Sequence, residues 1–346
     1  DFGELIIEDG VYRNNIIIPS MDWYAENILS VTGEYFGVEK TIEKEFEVFK
    51  GNASTSETYG AGAAGCALVA PVSVNNNDEN EIQPHGITFS KSGLKMFMTG
   101  NADNVFEYEL TDAYCIDSIS TPLIKDIKIT GSGNPTGLVF DPSGTKLFVV
   151  DKFPNKVYQF VVDVPWLVTT VNATAGDANH CYCNPISFSI TDQEKTAEGI
   201  TFDPSGTKMF IVGAHGDNKG EVNAYSLSVP YLITSASHAE VYTMSFTDAS
   251  PSGITFSESG LKMFISDAGT DTIREYKLTI PYLLSSNSTG DADTPSLSMS
   301  AVGNTVRDLW FDASGTKLFV LDQGAKDVTV FELTVPYLLE SATIVS

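Results

Sequence analysis

Arginine is almost missing from this chain: three of 346 residues, Arg13, Arg274 and Arg307. Lysine and arginine together number 20 against 45 aspartates and glutamates, a formal net charge of −25. A surface this acidic repels phosphate backbones and anionic bilayers, which excludes nucleic acid as a partner. It leaves cations, neutral sugars and basic protein faces. Long apolar runs are missing too. No stretch reaches the roughly 18 residues that a spanning helix needs, so no membrane insertion is expected.

Cysteine is scarce, with Cys66, Cys115, Cys181 and Cys183 too few for a disulfide scaffold in a chain of this length. Cys181 and Cys183 alternate faces on an extended backbone, which disfavours a bridge between them. The spacing leaves the redox compartment open. Signatures of catalysis are missing as well: there is no Gly-x-Ser-x-Gly elbow and no phosphate-binding glycine loop ahead of a helix. His85, His180, His215 and His238 stand without a recognisable Ser or Cys partner. The expectation is a protein that is not an enzyme. The chain starts at Asp1 rather than Met, as expected of a processed product or of a segment of a longer one.

What is present is a repeat. Gly86–Phe97, Gly137–Phe148, Gly199–Phe210, Gly253–Phe264 and Asp308–Phe319 share one pattern: a short apolar strand, a turn ending in Ser-Gly, then Lys-apolar-Phe. The units are about 55 residues apart, long for a solenoid and without the 3.6-residue period of helical repeats. Within a unit, Ile200–Phe202 alternates inward and outward, and Asp203-Pro204-Ser205-Gly206 makes a hairpin turn. Lys208–Val212, Glu221–Leu227 and Tyr242–Phe246 follow as second, third and fourth strands. Four antiparallel strands per unit describe a β-propeller blade, so the fold class is all-β.

A second box recurs between third and fourth strands: Val164-Pro165-Trp166-Leu167, Val229-Pro230-Tyr231-Leu232, Ile280-Pro281-Tyr282-Leu283 and Val335-Pro336-Tyr337-Leu338. Its aromatics could stack on sugars, but a step repeated in every unit is better explained as packing of one blade on the next. The first unit departs from it with Ala113-Tyr114-Cys115-Ile116.

Blade number turns on the N-terminal 85 residues. Segments 27–33, 35–38, 44–49 and 67–74 read as strands of a degenerate blade, so six blades are expected, with Asn15–Pro19 completing the last one. The alternative is five blades with residues 1–65 as an arm. The corresponding division is an N-terminal strand or attachment segment (1–26), a degenerate blade or linker region (27–81) and the propeller repeats (82–346). The apolar clusters Leu5–Ile7, Ile16–Ile18 and Trp23–Tyr24 suit attachment to a larger assembly through residues 1–65.

The strand–turn–strand signature, from Pro84-His85-Gly86-Ile87-Thr88-Phe89 through the Ser-Gly turn to Lys-Met-Phe, resembles the YVTN/NHL-like group of propellers. Units combining Ser-Gly-Thr-Lys-Met-Phe with Val-Pro-Tyr-Leu are similar to repeat proteins of marine phages and their bacterial hosts. The resemblance spans residues 84–340. It implies a propeller, and it points to a non-catalytic virion component (decoration, fibre or tail-associated) or an adhesin, on a virion, outside the cell or on its surface. The alternative is an extracellular lactonase-like hydrolase working at the channel mouth.

Candidate ligand residues follow from strand order. The loops entering each first strand share a face with the loops between second and third strands, around the channel mouth. His85, Thr136, Glu198, Ser252 and Arg307 precede the first strands and vary between units, as a binding ring would. Asp151, Asp267 and Asp322 stand at the second-to-third-strand loops. Their oxygens suit a hard cation, so calcium is the one metal the sequence suggests, with no other cofactor. A glycan is the other ligand class considered.

Overall fold

The computed structural model describes residues 83–100, 104–116, 133–171, 185–215, 219–244, 250–289, 294–301, 303 and 305–344. It also describes the backbone of short strands at 6–8, 11–13, 28–35, 38–45, 72–73 and 123–126. The chain divides into two compact units, Asp1–Ala61 and Gly62–Ser346.

In the first unit, β1 (Ile6–Glu8) pairs with β2 (Val11–Arg13), and β3 (Ile28–Tyr35) with β4 (Val38–Glu45), both antiparallel. The second unit opens with β5 (Val72–Ser73) and then repeats one sheet five times. Blade 1 is β6 (Pro84–Phe89), β7 (Lys95–Gly100), β8 (Asn104–Glu109) and β9 (Leu123–Asp126). Blade 2 is β10 (Pro135–Phe140), β11 (Lys146–Asp151), β12 (Lys156–Val161) and β13 (Ile186–Ser189). Blade 3 is β14 (Thr196–Phe202), β15 (Lys208–His215), β16 (Lys219–Leu227) and β17 (Ala236–Thr243). Blade 4 is β18 (Pro251–Phe256), β19 (Lys262–Asp267), β20 (Thr272–Lys277) and β21 (Ser296–Ser298). Blade 5 is β22 (Val306–Phe311), β23 (Lys317–Asp322), β24 (Asp327–Leu333) and β25 (Ala342–Ile344). Every sheet runs in chain order and antiparallel.

The ring closes with five blades, which corrects the expectation of six. The innermost strands touch in sequence, β6 to β10 to β14 to β18 to β22, and β22 returns to β6. No gap is left for another wedge. The hairpin of β3 and β4, expected to supply the sixth blade, pairs only with itself among the described residues. The strand that completes blade 5 is also not Asn15–Pro19, which lies outside the described residues. Val72 and Ser73 take that place, pairing with Val328 and Asp327, while Ala342–Ile344 pairs farther along the same edge of β24. A short strand ahead of the first repeat and the last strand of blade 5 thus share an edge of β24 that would otherwise stand open.

The turns explain the repeat. Asp141, Asp203 and Asp312 accept the backbone N–H of the lysine five residues on, at 2.7, 2.6 and 2.8 Å. Ser90 and Ser257 do this in blades 1 and 4, both at 3.1 Å. The turn glycine takes positive φ, 68° at Gly206, and its missing side chain leaves room for the box aromatic of its own blade. A Cβ on Gly206 would lie 2.2 Å from the Tyr231 ring.

The core is five cores, each shared by two successive blades, and the set beginning with Phe319, Leu321 and Val328 packs blade 5 on blade 1. The Pro-aromatic-Leu box is the fastening between them. The repeated Phe of one blade reaches the box aromatic of the next: Phe97 to Trp166, Phe148 to Tyr231, Phe210 to Tyr282, Phe264 to Tyr337, and Phe319 back to Tyr114, at 6.3 or 6.4 Å between ring centres. The repeated lysine donates to the carbonyl of that same aromatic, from Lys95, Lys146, Lys208 and Lys262 at 3.0, 3.2, 2.8 and 2.6 Å. A buried acceptor on the third strand then takes the first N–H after the next box. Glu107 accepts from Val168, Gln159 from Ile233 and Glu275 from Leu339, at 2.7, 3.1 and 3.2 Å.

Candidate functional site

The five ring residues divide into two kinds. Thr136 and Ser252 are buried, and their hydroxyls donate across the blade boundary to the carbonyls of Ala197 and Val306, both at 3.1 Å. They hold inner strands together. His85, Glu198 and Arg307 are the chemically distinct members, and each meets a residue that follows the end of a second strand. Lys152 forms an ion pair with Glu198 of the next blade. Gln323 bridges Arg307 and His85 across the seam between blades 5 and 1.

That seam is the most distinctive place on the mouth. Arg307 Nε and Nη2 both donate to Gln323 Oε1, at 3.0 and 2.6 Å. This fixes which end of the amide faces the arginine, so Gln323 Nε2 is the atom 3.2 Å from His85 Nε2, and it donates there. His85 accepts only when that nitrogen is unprotonated. The chain Arg307–Gln323–His85 therefore suits the tautomer in which Nε2 is free to accept. Protonating His85 would put two donors face to face and break the link.

Behind Arg307, blade 5 departs from the repeat once more. Gly86, Gly137, Gly199 and Gly253 mark the inner strands of the other blades, and Asp308 stands in their place. The four glycines are needed for close approach: a Cβ on Gly137 would lie 2.9 Å from the Cα of Gly199. Asp308 uses the space over Gly253 and accepts the N–H groups of Ile87 and Leu309, each at 2.8 Å. Burial pushes its pKa up to about 7, against the pull of those two backbone donors.

The three aspartates expected to hold calcium occupy one position in three different blades. Asp151 Oδ1 accepts from Asn134 and Phe153, at 2.9 and 3.0 Å. Asp267 Oδ1 accepts from Ser250, Gly269 and Thr270, and Asp322 accepts from Thr305 and Ala325. They cap the second-to-third-strand loops and tie them to the loop entering the same blade. The fold does not bring the three together, and each has backbone donors on it.

Blades 1 and 3 have Gly100 and Gly213 at that position. In blade 3 a carboxylate returns by another route. Glu194, from the loop entering the blade, is fully buried and accepts from Asn223 Nδ2 at 2.8 Å, and a Cβ on Gly213 would meet its Oε2 at 2.8 Å. Asn223 Oδ1 lies 2.8 Å from Nε2 of the exposed His238. With one donor in place of two or three, burial dominates and raises the Glu194 pKa to about 8, helped by the charges of Glu221 and Glu198.

Sequence reasoning missed Gln323, Lys152, Asp308 and Glu194. Laying the repeats side by side would have exposed three of them. Lys152 and Gln323 follow the second-strand aspartate, and Asp308 replaces a glycine kept in four units. Glu194 lies outside the repeat and carries no such signal.

No protein-family model matches the chain, and no curated protein is similar to it. Many solved structures share its fold at low identity. A proposed 6-phosphogluconolactonase from Bacteroides uniformis is 14% identical with a TM-score of 0.42, covering 66% of this chain and 60% of that one. The chain thus spans less than two thirds of that protein's length. A chain of the nidogen/laminin complex is 13% identical with a TM-score of 0.45, covering 72% of this chain and 75% of that one. The Cps50 (Swd1) β-propeller domain of Myceliophteria thermophila is 11% identical at 0.41, covering 79% and 73%. Likeness at this level is one of fold and says nothing about activity.

Proposed function

We propose that this chain is a non-catalytic, surface-exposed propeller that serves as a virion component or adhesin, recognising its target through the channel mouth while residues 1–65 attach it to a larger assembly. The observation that carries the reading is where the repeated polar side chains end. The turn aspartates, the loop aspartates, the lysines and the buried Glu107, Gln159 and Glu275 all finish on backbone groups of their own or the next blade. This chemistry is spent on a rigid ring, which suits a display scaffold. Side chains that break the repeat, Glu198 with Lys152 and Arg307 with Gln323 and His85, pair with one another rather than with the backbone.

The buried sulfur of Cys115 supports a place outside the reducing cytoplasm. It lies in a disulfide whose other half is outside the described residues. Such bonds persist in oxidising surroundings. The acidic surface fits the same setting by keeping a displayed protein soluble.

Negative-stain imaging of material from the native source, with antibody against the chain, tests the reading. Label on particles, fibres or cell surfaces is expected; a wholly free soluble protein would count against it. Purified protein is expected to open no lactone above the uncatalysed rate. Turnover that is lost in Glu198→Ala or His85→Ala would establish the hydrolase alternative instead. Deleting residues 1–61 should leave a folded monomer that still unfolds in one cooperative thermal transition and no longer joins its assembly. Aggregation of the truncated chain would show that this unit belongs to the propeller's own stability.

A further inference from the structure

Four of the five seams between blades share a polar fastening, and the seam between blades 5 and 1 does without it. Lys95, Lys146, Lys208 and Lys262 each reach the carbonyl of the next box aromatic. Lys317 holds the same place in blade 5, yet among the described residues its ammonium meets no carbonyl. The buried acceptor is missing as well. Val330 stands opposite Phe319, where Glu107, Gln159 and Glu275 stand opposite Phe97, Phe148 and Phe264. Blade 3 also lacks that acceptor, with Ala224, but it keeps its lysine bond and uses Glu240 instead.

Other contacts hold the fifth seam. On the inner strand Trp310 replaces Thr88, Val139, Thr201 and Thr255, and its ring lies 4.7 Å from Phe89 and 5.5 Å from Tyr114. At the mouth end Asp308 accepts the Ile87 N–H. Farther out, Ile116 of blade 1 packs in one core with Val328 and Val330 of blade 5. Cys115, between Tyr114 and Ile116, is buried there and disulfide-bonded. The other four boxes have a leucine at its position: Leu167, Leu232, Leu283 and Leu338.

The second sulfur belongs to Cys66, Cys181 or Cys183, none of them among the described residues. The described strands tell the three apart. Val72 pairs with Val328, and β5 is antiparallel to β24, so its N-terminal end points toward Val330, where Ile116 packs. Cys66 is six residues ahead of Val72, a reach of about 20 Å for extended chain. Cys183 is three residues ahead of Ile186, the start of β13. That strand belongs to blade 2 and packs on the box of blade 3. A link from there to Cys115 would have to pass the whole of blade 1.

We infer that Cys115 is bonded to Cys66, and that this disulfide is the clasp of the ring, joining blade 1 to the strand laid on blade 5 where the lysine and the buried acceptor are missing. The bond closes a loop of about 50 residues, long enough for a cross-link to restrain the open chain strongly. A dithiol such as dithiothreitol supplies the two electrons and two protons that turn the bond into two thiols, and itself closes to a cyclic disulfide. Reduction therefore loosens this seam. The other four, built of hydrogen bonds and ring contacts, do not respond. The clasp stands apart from the assembly role proposed above, and a failure of either leaves the other in place.

Digestion of the full-length protein, purified without reductant, followed by mass spectrometry should yield a linked pair containing Cys66 and Cys115. Cys115 linked to Cys181 or Cys183, or found as a free thiol, would overturn the inference. Hydrogen exchange then tests the clasp at four amides. Ile87, held by Asp308, reports on the seam between blades 5 and 1, while Val168, Ile233 and Leu339 report on three of the others. Dithiothreitol, Cys66→Ser and Cys115→Ser should each speed exchange at Ile87 by about tenfold or more and leave the other three within about twofold. The double variant should match the single ones. If Cys115→Ser does not fold, Cys66→Ser and the reduced wild type decide the matter. Exchange at Ile87 that reduction leaves unchanged, or that rises equally at all four amides, would refute the clasp.

Discussion

Replacing Glu275 with alanine should cost the protein about 3 kcal/mol, the low end for breaking a buried ion pair. Glu275 is fully buried on β20, lies 2.8 Å from Lys262 Nζ, and accepts the Leu339 N–H of the next blade. Alanine leaves that amide and the lysine facing a hole. The lysine side chain is a quarter exposed and keeps the Tyr337 carbonyl, which limits the loss. The thermal midpoint should fall by roughly 6–12 °C in a domain of this size. Glu275→Gln should cost about 1 kcal/mol, the net worth of one hydrogen bond, because Gln159 performs the same task in blade 2 without a charge. Blade 3 shows how the position can be vacated: it carries Ala224, and Glu240 on the outer strand accepts the Ser285 N–H instead, at 3.0 Å. Equal midpoints for wild type and Glu275→Ala would mean that the aromatic contacts alone hold the blades.

The second large effect is a pH dependence centred on Glu194. Its carboxyl has a folded pKa of about 8 against an ordinary value of 4.5, raised chiefly by burial. Between those values the folded chain holds a proton that the unfolded chain releases, so stability falls as pH rises from 4.5 to 8 and levels off above. The groups facing it are Asn223, which donates, and Glu221 and Glu198, whose charges act in the same direction as burial. Glu194→Gln removes the titration while keeping an acceptor for Asn223. The variant should match wild type at pH 5 and exceed it at pH 9 by on the order of 3 kcal/mol. Asp308 and Asp327, raised to about 7 and about 6, give both proteins a shared slope, so the difference between the two curves is the quantity to measure. Parallel denaturation midpoints across pH 5–9 would show Glu194 to be ionised in the fold.

Much of the fold was legible because a propeller writes each blade out in full. The Ser-Gly turn, the Lys-apolar-Phe strand and the box aromatic recur in all five blades with one job each, and the job can be inferred from one copy. Blade number was not legible in the same way. Residues 27–49 have the alternation of strands, and nothing local says that β3 and β4 pair with each other rather than with the ring. The mouth was half legible: variation among His85, Thr136, Glu198, Ser252 and Arg307 marked the place. Which of them turn inward to bind backbone depends on packing across blades. A threonine hydroxyl that ends on Ala197 in the next blade reads, along the chain, like one that faces a ligand.

The glycines on the inner strands set a limit on the circle itself. Strands of neighbouring wedges that converge toward an axis come closer together as the wedges become fewer and each subtends a wider angle. Where a Cβ on Gly137 would already stand 2.9 Å from the Cα of Gly199, a side chain could enter only by forcing the wedges outward. A wider circle would then have room for a larger number of them. The smallest residue, kept in four positions out of five, is what allows so tight an aperture, and the carboxylate of Asp308 fits at the fifth because the neighbouring Gly253 yields its space. Bulk added at these positions would thus alter the circumference of the ring before it altered any one blade.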